Sequence, residues 1–508
     1  MADEPVLEAT DVSQIPATVA RLRDGFRSHV TLDYEYRMRQ LRNLKRLLEE
    51  NQVKILEALK LDLNKCKSEA FMMEFAQVMG DVVDILNNLA DWMAPNHRPR
   101  DLLNKFNSVY IQSEPYGVIL NMVPWNYPLQ IMLCSLAGII ASGNCCVIKP
   151  SEFAVAFSNL MAELIPKYLD QECFAMVTGA LEQSEALLKE RFDFIMFTGS
   201  PVVGKIVMRE AAATLTPILL ELGGKSPVIV AKDANMEVAG RRIMWGKCMN
   251  SGQTCIAPDY VLCLKEQRDK LVEACKKTVT EFYGEDPKES PDYGRIIQSR
   301  HFQRLVGLLE GSKGTVAYGG TSDPQTRYIQ PTLVTDVTPE DKLMQEEIFG
   351  PLLPILTVDS LDDAIDFVNK GEKPLAMYVF TESRATFERV SKLTSAGGVT
   401  HNDTLLHAGA TALPFGGVGN SGVGAYRGKH SFDAFSHSKG VLSTGTGLEF
   451  LNNMRYPPFT SSKFNRIKWA LSKTERSSRG PWRMIMLFLS IAVVAVVVQM
   501  YGLPSWLY

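Results

Sequence analysis

The 508-residue chain predicts an α/β protein of two open, parallel, Rossmann-type domains in series, followed by a C-terminal transmembrane helix. Three observations carry this reading. From Val118 onward, short apolar runs alternate with stretches of helical composition, the pattern of parallel strands joined by crossover helices. The alternation resumes after Cys255, which makes two such units rather than one. Near the chain end, Met484 to Leu503 is a single apolar stretch, long enough as a helix to cross a hydrocarbon core of ~30 Å.

In chain order, residues 35–93 read as helix, with Leu41, Leu44 and Leu48 on one face and Phe71, Phe75, Val78, Val82, Leu86 and Leu89 repeating the spacing. Strands are expected at 118–123, 145–148, 174–177, 194–197 and 228–230, with helices at 154–169 and 204–213 between them. The second series has strands at 261–264, 355–358 and 377–380 and helices at 269–283, 301–309 and 361–369. Phe415 to Gly424 is rich in glycine but interrupted by aromatic and apolar residues, so it reads as a structured loop.

Ser490, Gln499 and Tyr501 interrupt the tail, none of them charged at neutral pH. Before it, Lys463, Arg466, Lys468, Lys473, Arg476, Arg479 and Arg483 stand against one acid, Glu475. Basic residues flanking a span stay on the cytoplasmic side and attract anionic head groups. The N-terminus is acidic and carries no secretory pattern, so the body is expected in the cytosol. Nine cysteines without a Cys-x-x-Cys pair suit a reducing compartment, and a net charge of −3 gives no sign of a nucleic-acid partner. No metal-ligand set is read.

Four segments carry chemistry. Cys255, in Gly252-Gln-Thr-Cys255, has a small, flexible approach suited to a nucleophilic thiol, although a lone cysteine is ordinarily inert core. Glu221 ends an apolar strand before Gly223-Gly224, where burial would raise its pKa toward that of a general base; the bland reading is a strand-end carboxylate in water. Asn126, in Pro124-Trp-Asn-Tyr-Pro128, can donate to an oxyanion or simply form a turn. Gly199, Ser200, Pro201, Val202, Val203 and Gly204 run from strand into helix, a place where amides can meet a phosphate, but without the Gly-x-Gly-x-x-Gly pattern.

Together with Lys149-Pro-Ser-Glu152, Leu220-Glu-Leu-Gly-Gly-Lys225, Glu346-Glu-Ile-Phe-Gly-Pro351 and Pro414-Phe-Gly-Gly-Val-Gly419, these segments resemble the aldehyde dehydrogenase superfamily, in the family order over roughly residues 30–440. The short N-terminus, Gly424 to Phe432 and the tail resemble class 3, and most of all the membrane-bound fatty aldehyde enzymes. The resemblance implies NAD-dependent oxidation of long-chain aldehydes to acids, with NADP left open. It implies Cys255 as nucleophile, Asn126 with the Cys255 amide as oxyanion donors, and Glu221 as the base for hydrolysis. Lys149 and Glu152 would bind the adenosine ribose, residues 199–204 would lie by the pyrophosphate, Glu347 would hold the nicotinamide ribose, and Phe349 would lie beside it.

The implied layout is an NAD-binding domain over 13–221 with a bridging strand near 97–116, a catalytic domain over 222–433, and a bridging, tunnel-capping segment over 434–460 that supports a homodimer. A basic juxtamembrane linker over 461–483 and a membrane tail over 484–503 follow. The lipid bilayer is the expected partner, of the endoplasmic reticulum first and the peroxisome second. Ala180 and Pro201 depart from the family's usual residues. Two rival readings are a coenzyme A-acylating relative, against which Glu221 argues, and a tethered inactive scaffold, against which the three chemical residues argue.

Overall fold

Val118–Met122 and Cys145–Lys149 have every residue buried, which is why they read as mainly apolar runs, Asn121 and Lys149 excepted, rather than alternating ones. In a computed structural model, which describes residues 6–101, 104–447 and 449–472, they lie at the centre of a six-stranded sheet. Its order is Gly422–Val423, Ile218–Leu222, Phe194–Gly199, Val118–Met122, Cys145–Lys149 and Phe174–Met176. All neighbours are parallel except the Gly422–Val423 edge, which pairs antiparallel with Leu220 and Glu221. The glycine-rich loop is thus structured, and a bridge between Phe415 and Tyr426 closes it.

Crossover helices are Pro128–Ser142, Val155–Tyr168, Leu181–Lys189 and Pro201–Ala212. All of Pro128–Ser142 is buried except Gln130. It therefore lacks the one-sided period that marks a surface helix and was not among the expected helices. The long N-terminal helical region is interrupted. Tyr34–Leu63 ends at Asn64, whose left-handed backbone closes the helix, and a π-helical turn at Phe71–Phe75 precedes Ala76–Met93.

A second, seven-stranded sheet has the order Thr315–Tyr318, Thr332–Thr335, Leu352–Val358, Tyr260–Leu264, Pro227–Val230, Ala376–Phe380 and Gly398–His401. Only its first pair is antiparallel. Helices Met236–Cys248, Lys265–Tyr283, Leu361–Lys370 and Arg384–Leu393 connect its strands.

In the first sheet the chain leaves Val118–Met122 in one direction, then returns to its other side at Phe194–Gly199. That reversal opens a crevice at the carboxyl ends of the two strands, where open α/β sheets bind ligands. Gly223 to Ser226 leads from the last main strand of this sheet straight into Pro227–Val230, the first of the second.

Both sheets belong to one compact unit formed by Met1–Pro95 and Gln112–Lys439. A second unit comprises, among the described residues, 96–101, 104–111, 440–447 and 449–472. Its described residues include Asn96–His97 paired antiparallel with the start of Ser108–Pro115, the short helix Glu449–Asn452 and the helix Ser461–Leu471. Among the described residues no helix is long and apolar enough to cross a membrane, and the expected span at 484–503 lies outside them.

Candidate active site

A cavity of about 1180 Å³ occupies the crevice. Asn126, Glu221 and Cys255, from three distant segments, all line it. One part of its wall is Thr198 to Val202, Gly223 to Lys225, Glu347 and Phe349; another is apolar, with Met72, Met73, Ile131, Trp245, Leu405 and Leu406.

Cys255 follows a strained approach. Asn250 and Ser251 both hold a positive φ of 52°, and Gly252 one of 75°. Two consecutive non-glycine residues in the left-handed region are costly and persist only where surroundings impose them. Here the Asn250 amide donates to Glu69 at 2.8 Å, and its side chain donates to the carbonyls of Asn126 and Gln253. A Cβ on Gly252 would run into the Gly350 carbonyl, so only glycine fits. Beyond the turn, Tyr127 bonds the Thr254 hydroxyl at 2.8 Å, and the Tyr378 hydroxyl donates to the Ile256 carbonyl at 2.5 Å. The half-buried thiol is raised in pKa by burial, then by Glu347 and Glu221, while the amides of Cys255 and Ile256 oppose the rise.

Glu221 is 2% exposed, and neither carboxylate oxygen has a hydrogen-bond partner. Its backbone is fixed on both sides, paired with Thr198 and Gly422. Burial alone raises its pKa well above the carboxylate range. A buried carboxyl without partners is costly as an anion, so it takes up a proton readily.

Asn126 is held from beneath. Its Nδ2 donates to the Gln253 carbonyl at 3.1 Å, and its own carbonyl accepts from Lys65 at 2.7 Å and Asn250 at 2.8 Å. Lys65 is fully buried and paired with Glu74 at 2.5 Å, whose other oxygen accepts the amides of Leu129 and Gln130 at the start of helix Pro128–Ser142. The ammonium also sits 4.0 Å from the Tyr127 ring centroid.

Elsewhere on the wall, Ser200 caps helix Pro201–Ala212 with its hydroxyl, and Pro201 takes the first-turn position that needs no amide donor. Gly199, Ser200, Pro201 and Val202 line the cavity; Val203 and Gly204 do not. Gly204 instead packs the helix against Leu222, where a side chain would collide. Lys149 and Glu152 also lie outside the lining. Lys149 is buried, donates to the Pro150 carbonyl at 2.7 Å, and is lowered in pKa by burial against the pull of Glu152. Burial pushes Glu347 up to about 8. Its carboxylate lies where a Cβ on Gly223 would be, so that glycine makes room for it. Phe349 has a positive φ of 51° and meets the Trp125 ring edge-on at 5.5 Å.

The family model described as "Aldehyde dehydrogenase family" matches residues 6–441. The chain belongs to the aldehyde dehydrogenase family. Aldehyde dehydrogenase family 3 member A2 of Rattus norvegicus is 47% identical over 481 residues, 95% of this chain and 99% of its own. The solved "Substrate bound state of Staphylococcus Aureus AldH" superposes with a TM-score of 0.88 at 41% identity, covering 90% of this chain and 99% of that one. A Mycobacterium tuberculosis aldehyde dehydrogenase complexed with NAD+ aligns at a TM-score of 0.78 and 26% identity, over 87% and 92% of the two chains. The protein is accordingly an oxidoreductase of the class 3 kind that oxidises aldehydes to acids, in a family that uses NAD(P).

In this aldehyde dehydrogenase, several residues beyond those read from sequence build the site. Lys225 pairs with Asp259 at 2.5 Å and donates to the carbonyls of Leu343 and Glu346. Asp259 accepts the Ile348 amide at 3.0 Å, and Arg304 donates to the Ile348 carbonyl at 2.6 Å. The loop bearing Glu347 is thus clamped from three sides. Lys65, Glu69, Glu74 and Asn250 are likewise hidden in sequence, because a lysine and two glutamates within a helical stretch read as a solvated face.

Proposed function

We propose that the protein oxidises long-chain aliphatic aldehydes to carboxylic acids through Cys255, using NAD, at the cytosolic face of a membrane. The observation that carries this reading is the carboxyl of Glu221, buried and without a partner, in the same cavity as the half-buried Cys255 thiol and the Asn126 amide. A purely structural carboxylate would be answered by donors.

Cys255 Sγ bonds to the aldehyde carbon, and the thiol proton passes to Glu221. The carbonyl oxygen becomes an oxyanion, held by the Asn126 side chain and the Cys255 amide. The dinucleotide fits the wall at 199–202, where the first turn of a twelve-residue helix meets the cavity, and the space beside Gly223 where Glu347 enters. Lys149 and Glu152 are the residues for its adenosine ribose, Glu347 and Phe349 those for its nicotinamide end. When bound, the nicotinamide supplies the electron acceptor that takes the adduct to a thioester on Sγ. Glu221, its proton released to solvent, then draws a proton from water, whose oxygen adds to the thioester carbon. The acid departs, and the thiol is restored. Burial raises the pKa of Glu221, so its anion is a stronger base than a carboxylate in water.

The apolar wall of Met72, Met73, Ile131, Leu405 and Leu406 supports an alkyl substrate. Each CH₂ buried there contributes ~0.8 kcal/mol, about fourfold in KM, until the wall is filled. The bilayer reading rests on the apolar run 484–503, and its basic flank places the body on the cytosolic side.

The test is NADH formation by detergent-purified full-length protein with hexadecanal and with propanal, beside Cys255→Ala. Turnover without coenzyme A, lower KM for hexadecanal and loss in the variant are expected. NADH that appears only on adding coenzyme A would show transfer of the acyl group instead of hydrolysis. No NADH from a protein that binds NAD would show a scaffold.

A further inference from the structure

The segment expected to be a basic linker begins as a helix. Ser461–Leu471 is capped by Thr460, whose hydroxyl accepts the Lys463 amide at 3.2 Å, and none of its residues is buried. Nine of its eleven side chains fall into three rows at i, i+4 and i+7, and exposed Ser461 and Asn465 lie between the two outward ones. Lys463, Ile467 and Ala470 are half-buried, and the Lys463 ammonium donates to the Tyr456 carbonyl at 2.9 Å. This row faces the protein's own chain. The other two rows face outward: Phe464, Lys468 and Leu471 in one, Ser462, Arg466 and Trp469 in the other.

Each outward row thus joins an aromatic residue to a cation. Phe464 is 61% exposed, Trp469 74% and Leu471 57%, and Phe459, just before the cap, is also exposed. From Phe459 to Ser472 there is no acidic residue. Large apolar groups left in water call for a partner, and a surface of aromatics beside Lys and Arg matches the boundary between head groups and acyl chains. Trp and basic stems are suited to that layer because each has an apolar body and a polar tip.

Chain continuity says which partner. Eleven residues, 473–483, separate the helix from the apolar run at Met484. At ~3.5 Å per residue they reach no farther than about 40 Å, so a bilayer entered at 484 is always within range of the helix. A second copy of this chain would have to offer an acidic surface, whereas a cytosolic leaflet offers anionic phosphates at a fixed, short tether.

We propose that helix Ser461–Leu471 lies flat in the head-group layer of an anionic bilayer, with Ser461 and Asn465 toward the lipid, Phe464 and Leu471 on one flank and Trp469 on the other reaching for the acyl boundary, and Arg466 and Lys468 on lipid phosphates. The inference rests on the reading of 484–503 as a membrane span. Its effect is to hold the enzyme body against the surface where its apolar substrates reside.

The test uses full-length protein in phosphatidylcholine vesicles, with and without phosphatidylserine, and brominated acyl chains as quencher. Subtracting the fluorescence of Trp469→Phe isolates the one indole. With phosphatidylserine present, the Trp469 component should be blue-shifted, quenched by the brominated lipid and shielded from iodide. Joint substitution Arg466→Glu and Lys468→Glu should reduce that quenching at least ~2-fold, as should high salt, while propanal turnover stays unchanged. Protein that fails to float with the vesicles would refute the membrane span. Protein that floats but whose Trp469 remains open to iodide would overturn the helix proposal alone. Trp469 shielded from iodide yet untouched by brominated lipid would point to a second copy covering the helix, and would overturn it as well.

Discussion

Two buried carboxylates in this fold are treated in opposite ways. Glu74 has both oxygens occupied, by Lys65 on one and by the amides of Leu129 and Gln130 on the other. Glu221 has neither oxygen occupied. The first joins the N-terminal helices to the start of helix Pro128–Ser142 and supports Asn126 from below. The second faces a cavity shared with a thiol. The carboxylate that supports the site is answered by donors at folding; the one that performs proton transfer is left without a partner until substrate and water arrive. That distinction makes two kinds of failure separable by experiment.

The largest expected effect is at Cys255. Cys255→Ala should lower aldehyde turnover by at least about 10⁴-fold, as removal of a catalytic nucleophile does, with no loss of thermal stability. Steady-state NADH formation and a melting curve on the same preparation check both halves. Residual turnover within tenfold of the parent would remove Cys255 from the mechanism. Next comes Lys65→Met, which strands Glu74 in the core. Breaking a buried pair from one side costs about 3–5 kcal/mol, visible as a lower denaturant midpoint. A midpoint equal to the parent's would show that Glu74 has other support, and the contrast with Glu221 would lose its basis.

What could be read in advance follows the same division. The central strands were legible because burial on both faces writes itself as continuous apolar residues, as at 145–148 in strand Cys145–Lys149. Helix Pro128–Ser142 was not, because a helix buried all round has no polar face to set its period. Cys255, Glu221 and Asn126 stood out as candidates singly, but each had an ordinary structural explanation until the fold placed them in one cavity. The supports were invisible. Nothing local says that Lys65 turns inward to Glu74 and Asn126, or that Asn250 and Ser251 take left-handed backbone, since tertiary partners impose both. The tail, by contrast, is legible only in sequence, and 484–503 lies outside the described residues.

Glu221→Gln sharpens the comparison through pH. Loss of the base should slow turnover about 10²–10³-fold and abolish the rise in rate that accompanies its deprotonation. Stability should move the other way. Because the folded carboxyl has a raised pKa, its contribution is fully present below the unfolded value of about 4.3 and is lost as pH rises through the folded pKa. The glutamine variant has no such loss, so it should match the parent near pH 4 and be the more stable protein near pH 8. A parent more stable than the variant at pH 8 would mean that the carboxylate is paired after all.

The smallest effect, and the finest test of how support differs from chemistry, is Lys225→Met. This lysine takes no part in the proposed chemistry; it joins Asp259 to the carbonyls of Leu343 and Glu346 and so fixes the loop that presents Glu347. Releasing the loop should weaken placement of the cofactor's nicotinamide end far more than it disturbs Cys255, Glu221 or Asn126. The expected result is a KM for NAD raised about tenfold, equivalent to ~1.4 kcal/mol, with the KM for aldehyde changed little. Lys225→Arg keeps the charge but not the compact three-way donation, and should recover only part of the loss. Equal increases in both KM values would instead place Lys225 in the general stability of the cavity, and the clamp on Glu347 would have no separate role.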